Sequence, residues 1–142
     1  MSSHTIRIGE GKPLAEIHIA GYVHPEVAEP EGMDLLDCAV RAVAPPVEAT
    51  FPVSIRVDEL RSLGSYLAQI NSGNGPAGNF SFAGGLFDLS FAPSRRGPVL
   101  CAVGLKSIEA SHVRLEYLVT LEPQAITKLL ADLAAFERAT AD

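Results

Sequence analysis

Phe51-Pro-Val-Ser-Ile-Arg-Val57 runs directly into Asp58-Glu-Leu-Arg-Ser-Leu-Gly-Ser-Tyr-Leu-Ala-Gln-Ile70, and the hydrophobic period changes at the junction. Up to Val57 apolar residues alternate, as on a half-buried strand; beyond Asp58, Leu60, Leu63, Leu67 and Ile70 form one helical stripe. Asp58 reads as the N-cap, its carboxylate accepting first-turn N–H groups. Gly64 lowers the intrinsic stability of this helix by about 1 kcal/mol relative to Ala, so close packing against the sheet is expected there. The same change of period recurs at Val113-Arg-Leu-Glu-Tyr-Leu-Val-Thr-Leu121, followed by Glu122-Pro123 and a stripe of Ile126, Leu129, Leu130, Leu133 and Phe136. Pro123 fits a first helical position, where its missing N–H costs nothing.

Working outward, His4–Ile8 and Ala15–Ala20 alternate on either side of a turn. Alternation returns at Leu35–Val43, is broken at Ala44-Pro-Pro46, and resumes at Val47. Pro52 lacks a ladder donor, so its strand is expected at an edge or with a bulge. Phe80–Phe91 is strand-like with a hairpin turn near Gly84-Gly85, and Val99–Leu105 alternates again. The fold class is therefore α+β: an antiparallel sheet of about eight strands with two helices packed on one face. One domain, 1–142, is expected. Its segments 1–72 and 78–138 share a grammar suggestive of a pseudo-repeat, although strand-then-helix pairings also arise without duplication.

The chain has 142 residues, a net charge of −6 and a pI near 5.1, which opposes nucleic-acid binding. Hydrophobic residues are 47% and charged ones 20%, a globular composition; with no Trp, the core must be largely aliphatic. No Sec-type leader and no membrane-spanning run are visible, so a cytoplasmic location is expected.

No residue pattern announces a reaction. Gly73-Asn-Gly-Pro-Ala-Gly78 matches the dinucleotide string but follows a helix and precedes a strand, the reverse of what phosphate binding requires. His4, His18, His24 and His112 show no metal-ligand spacing. Cys38 and Cys101 fall in apolar runs, as small buried hydrophobes do, and Asn79-Phe-Ser81 is a glycosylation sequon only as a string. No catalytic residue, cofactor or metal site is assigned. The candidate partner-binding residues are Glu26, Glu29, Glu31, Asp34 and Asp37, a stretch without Lys or Arg that suits a basic partner as well as it suits a solvated loop.

Several segments together resemble the small bacterial immunity proteins of the WapI type and related bacterial domains of unknown function. They are Met33-Asp-Leu-Leu-Asp-Cys-Ala-Val40, Val57-Asp-Glu-Leu-Arg61, Gly85-Leu-Phe-Asp-Leu-Ser-Phe91 and Arg114-Leu-Glu-Tyr-Leu-Val-Thr-Leu-Glu122, within residues 33–138. The chain departs from that pattern in lacking the Trp that often precedes the first of these strands. The resemblance implies a non-enzymatic protein that binds and neutralises a cognate toxin domain. It implies a protein partner; acidity separately argues against nucleic acid and the lack of a spanning run against a membrane, and a monomer or homodimer is expected. The alternative is a small-molecule-binding or enzymatic domain with a pocket between sheet and helices. A third reading is a structural homodimer formed by edge-strand pairing.

Overall fold

The computed structural model describes residues 3–27, 29–30, 33–71, 75–95, 97–109 and 112–140. Strands β1 (His4–Ile8), β2 (Leu14–Tyr22), β3 (Leu35–Ala44) and β4 (Val47–Arg56) lead into helix α1 (Val57–Asn71). Then β5 (Gly78–Phe82), β6 (Phe87–Ala92), β7 (Val99–Lys106) and β8 (Arg114–Leu121) lead into helix α2 (Pro123–Thr140). The expected eight antiparallel strands and two helices are present, and the strands divide into two sheets, β1-β2-β3-β4 and β5-β6-β7-β8. The division falls where α1 intervenes: its fifteen helical residues separate β4 from β5, and β5 pairs with β6 rather than with the first sheet.

Buried residues of both sheets and both helices form one hydrophobic cluster. Ile6, Ile17, Val40 and Ile55 from the first sheet and Leu89, Cys101 and Val103 from the second are each at most 1% exposed. Leu60, Leu63, Leu67 and Ile70 of α1, with Ile126, Leu129, Leu133 and Phe136 of α2, complete it, as the helical stripes require. The inward alternation of β8 is narrower than its sequence suggests. Val119 and Leu121 are buried, Leu115 and Tyr117 half-buried, and Val113, preceding the strand, is 46% exposed.

Aromatic rings join α1 to the second sheet. The Tyr66 ring lies 5.3 Å from Phe80 and 5.6 Å from Phe91. Gly78 admits this contact, since a Cβ there would fall 2.6 Å from the Tyr66 ring. At the other end, the Tyr117 hydroxyl donates to the Leu14 carbonyl at 2.8 Å, joining β8 to β2. Helix α2 packs on α1 and along β1.

Local signals resolve in detail. Helix α1 begins at Val57, so Asp58 lies in the first turn, where its charge suits the helix dipole, and Glu59 accepts from the Arg56 N–H at 2.8 Å. Glu122 caps α2 through its carbonyl, which accepts from Ala125 and Ile126. Gly84 and Gly85 take positive φ in the single 3-10 turn Ala83–Gly85 that closes the β5–β6 hairpin, as their position predicts. Gly64 is not explained by close packing against a sheet: it faces α2, and a Cβ there would meet only the Leu133 Cδ1, at 3.9 Å.

Candidate protein-interaction site

The connection between β2 and β3 carries most of the acidic candidates. Its base is fastened by the Val23 N–H donating to the Leu35 carbonyl at 2.9 Å, which prolongs the β2–β3 ladder, and by Val57 N–H donating to the Asp34 carbonyl at 3.1 Å. Glu29 and Asp34 line one cavity of about 230 Å³ together with Tyr22, His24, Met33 and Arg56. Glu26 is exposed in the turn that follows His24. Asp37, exposed on the outer face of β3 opposite Ser54, lines a separate cleft with Pro52 and Leu86. Glu31 lies outside the described residues. Of the five carboxylates read as one patch, the four described are thus a pair at one cavity, one residue on the neighbouring turn and one on the sheet.

What sequence reading missed is the apolar component of the same connection. Val23, Val27, Met33 and Leu35 are between 36% and 47% exposed, interleaved with Glu26, Glu29 and Asp34. Their signal was present as aliphatic residues in a loop rich in Pro and Glu, where solvation alone would not select them. Arg56, which lines the same cavity as Glu29 and Asp34, is paired with Asp58 at 3.0 Å.

A second polar cluster occupies the outer face of the first sheet. Glu16 is 4% exposed and receives Arg7 at 2.6 and 2.8 Å and Arg41 at 2.7 Å, while His18 approaches it at 3.5 Å. Arg41 also holds Glu48 at 2.5 Å. Burial pushes the Glu16 carboxyl up, but the hydrogen bonds and charges of Arg41 and Arg7 outweigh it, leaving the group below its ordinary range. Charges here are mutually satisfied, so the cluster braces β1, β2 and β3 across their registers, Arg7↔Glu16 and Glu16↔Arg41, and reaches β4 through Glu48.

The remaining candidates are not gathered into reactive groupings. Burial raises the thiols of both Cys38, with Asp37 adding to the effect, and Cys101 to about 12, far from a nucleophilic thiolate at neutral pH. His112 lies beside Lys106, Ser107 and Arg114 rather than carboxylates. No grouping of three or more His, Cys, Asp or Glu suited to a metal ion occurs among the described residues. Gly75-Pro-Ala77 joins α1 to β5, a helix-to-strand connection as read, while Gly73 and Asn74 lie outside the described residues. One groove of about 410 Å³ lies between the two helices, lined by Leu60, Gly64, Leu133 and Phe136 and bridged by Arg61 to Glu137 at 3.1 Å, and a second of about 410 Å³ lies where Ile70 of α1 and Ile126 of α2 meet Val99 of β7 and Leu121 of β8. No described helix is long and apolar enough to cross a membrane.

No protein-family model, no curated protein and no solved structure matches this chain.

Proposed function

We propose that this protein is a non-enzymatic protein-binding module that acts in the cytoplasm, of the immunity type, which neutralises a cognate toxin domain by covering it. The observation that carries this reading is the β2–β3 connection, where exposed Val23, Val27, Met33 and Leu35 alternate with Glu26, Glu29 and Asp34. Aliphatic contacts surrounded by charge of one sign suit a protein partner: the apolar groups supply burial, and the carboxylates steer a basic surface and reject an acidic one. The net charge of −6 works in the same direction at longer range.

The test is binding of the toxin domain encoded beside this chain, followed by surface plasmon resonance at two salt concentrations. Glu29→Lys with Asp34→Lys should slow association about tenfold at low salt, with a smaller effect at high salt. Met33→Ala should instead accelerate dissociation. An adjacent gene whose product forms no complex, or binding indifferent to all three changes, would refute the reading.

A further inference from the structure

A four-stranded sheet has two edges, each presenting unpaired N–H and C=O groups, and the alternation of hydrogen bonds decides which residues present them. In the first sheet, Val57 donates to Asp34, so β4 residues in step with Val57 face β3, and Glu48, Thr50, Pro52, Ser54 and Arg56 face outward. Pro52 removes the donor at the centre of that edge, and Glu59 takes the Arg56 N–H. On β1, the Arg7 N–H is taken by Asp132 of α2 at 3.1 Å. Strand β5 is five residues long and is flanked at Gly78 by Tyr66. Three of the four edges are therefore blunted, covered or short.

Strand β8 is different. Ser107 donates to Val113 at 2.8 Å, which directs Val113, Leu115, Tyr117 and Val119 toward β7 and leaves Arg114, Glu116, Leu118 and Thr120 with outward backbone groups. Among the described residues no other part of the chain bonds to them. Leu118 is 60% exposed at the strand's centre, and Leu100 and Ala102, its neighbours on β7, extend the apolar strip.

We infer that β8 pairs antiparallel with β8 of a second copy, joining two four-stranded sheets into one continuous sheet. The strand is most fully self-complementary in one register. With Leu118 opposite its own copy, Glu116 faces Thr120 and Arg114 faces Glu122 across the two-fold axis. Moving the axis one residue toward the N-terminus sets Glu116 against Leu118, and one further residue sets Glu116 against Glu116. Moving it the other way sets Glu116 against Glu122. A register centred on half-buried Leu115 also sets Arg114 against Glu116, but it puts Leu118 opposite His112; only the first register joins the exposed Leu118 pair at its centre to opposite charges at both ends, the pattern that favours cross-strand pairs. This surface is separate from the β2–β3 connection, so the inference stands whether or not that connection binds a toxin.

Sedimentation equilibrium on the full chain tests it. The expected result is a species of twice 15.0 kDa that dissociates on dilution. Leu118→Lys, at an exposed site that leaves the core untouched, should raise the dimer Kd at least about tenfold without changing the circular dichroism spectrum. Arg114→Glu and Glu122→Arg should each weaken the dimer, and the double exchange should restore it. A monomeric wild type overturns the inference, as does a dimer that survives Leu118→Lys or a double exchange that restores nothing.

Discussion

The carboxylate of Asp132, in the C-terminal helix, accepts a hydrogen bond from the backbone N–H of Arg7, in the first strand, at 3.1 Å. The contact closes the outer edge of β1 with a side chain from α2, and Lys128, one turn earlier, holds the same carboxylate in place. The edge of the first sheet is thus sealed by the last element of the chain.

Asp132→Ala leaves the Arg7 N–H without its acceptor. The expected loss is about 1–2 kcal/mol, read as a lower urea midpoint at unchanged m. Asp132→Asn keeps an oxygen in place and should lose roughly half as much. Equal losses in the two variants would show that the charge, and not the acceptor, matters.

Glu16 makes stability depend on acid. Its folded carboxyl titrates below the ordinary glutamate value of about 4.3, because Arg41 and Arg7 outweigh the opposing effect of burial. A depressed folded value means stability that is complete above the unfolded value and is lost as pH falls through the folded one. Wild type should therefore lose stability below about pH 4.3, and Glu16→Gln should flatten that part of the profile while costing about 1–3 kcal/mol at neutral pH. Urea titrations from neutral to acidic pH measure both.

The legible and illegible parts of this chain separate along physical lines. Ile6, Ile8, Ile17 and Ile19 alternate and are buried, and the leucines of both helices face the core, because periodicity reports which side of an element is dry. Pro52 announced an edge or a bulge, and β4 is an edge strand with no bulge, since a missing N–H is a local fact. Division into two sheets was not legible, because pairing between distant strands leaves no local mark. Glu16 escaped notice for the same reason: Arg7 and Arg41 reach it only through the strand registers. The acidic stretch was legible as charge but not as geometry. Asp34 turns to the cavity with Glu29, while Asp37, three residues on, stands on the outer face of β3.

Gly64 is a helix position that its surroundings do not require to be glycine. An added Cβ reaches only the Leu133 Cδ1 at 3.9 Å, an ordinary van der Waals contact, and the backbone is already helical. Gly64→Ala should stabilise the protein by about 1 kcal/mol, seen as a higher thermal midpoint. A larger residue, Gly64→Leu, should fill the groove between the helices and separate them, lowering the midpoint instead.

Both thiols should be silent in the folded protein. Burial raises Cys38 and Cys101 to about 12, so at pH 8 almost no thiolate is present and neither sulfur is accessible. A thiol-reactive chromogen should label neither cysteine in buffer and both in denaturant. Rapid labelling of one cysteine in buffer would show that its sheet opens locally without global unfolding.

Tyr117 tests how strongly the two sheets are held together. Its hydroxyl donates to the Leu14 carbonyl at 2.8 Å, and burial pushes the phenol up to about 12. Tyr117→Phe removes the donor while keeping the ring, so the packing of β8 is preserved and the Leu14 carbonyl loses this donor. The expected loss is about 1–2 kcal/mol in urea. Hydrogen exchange gives the sharper reading: if this bond joins the sheets, Tyr117→Phe should speed exchange at the start of β2 and in β8 more than in β6. A uniform increase matching the global loss would show that the two sheets separate only when the whole core unfolds, with the hydrogen bond contributing stability but no local connection.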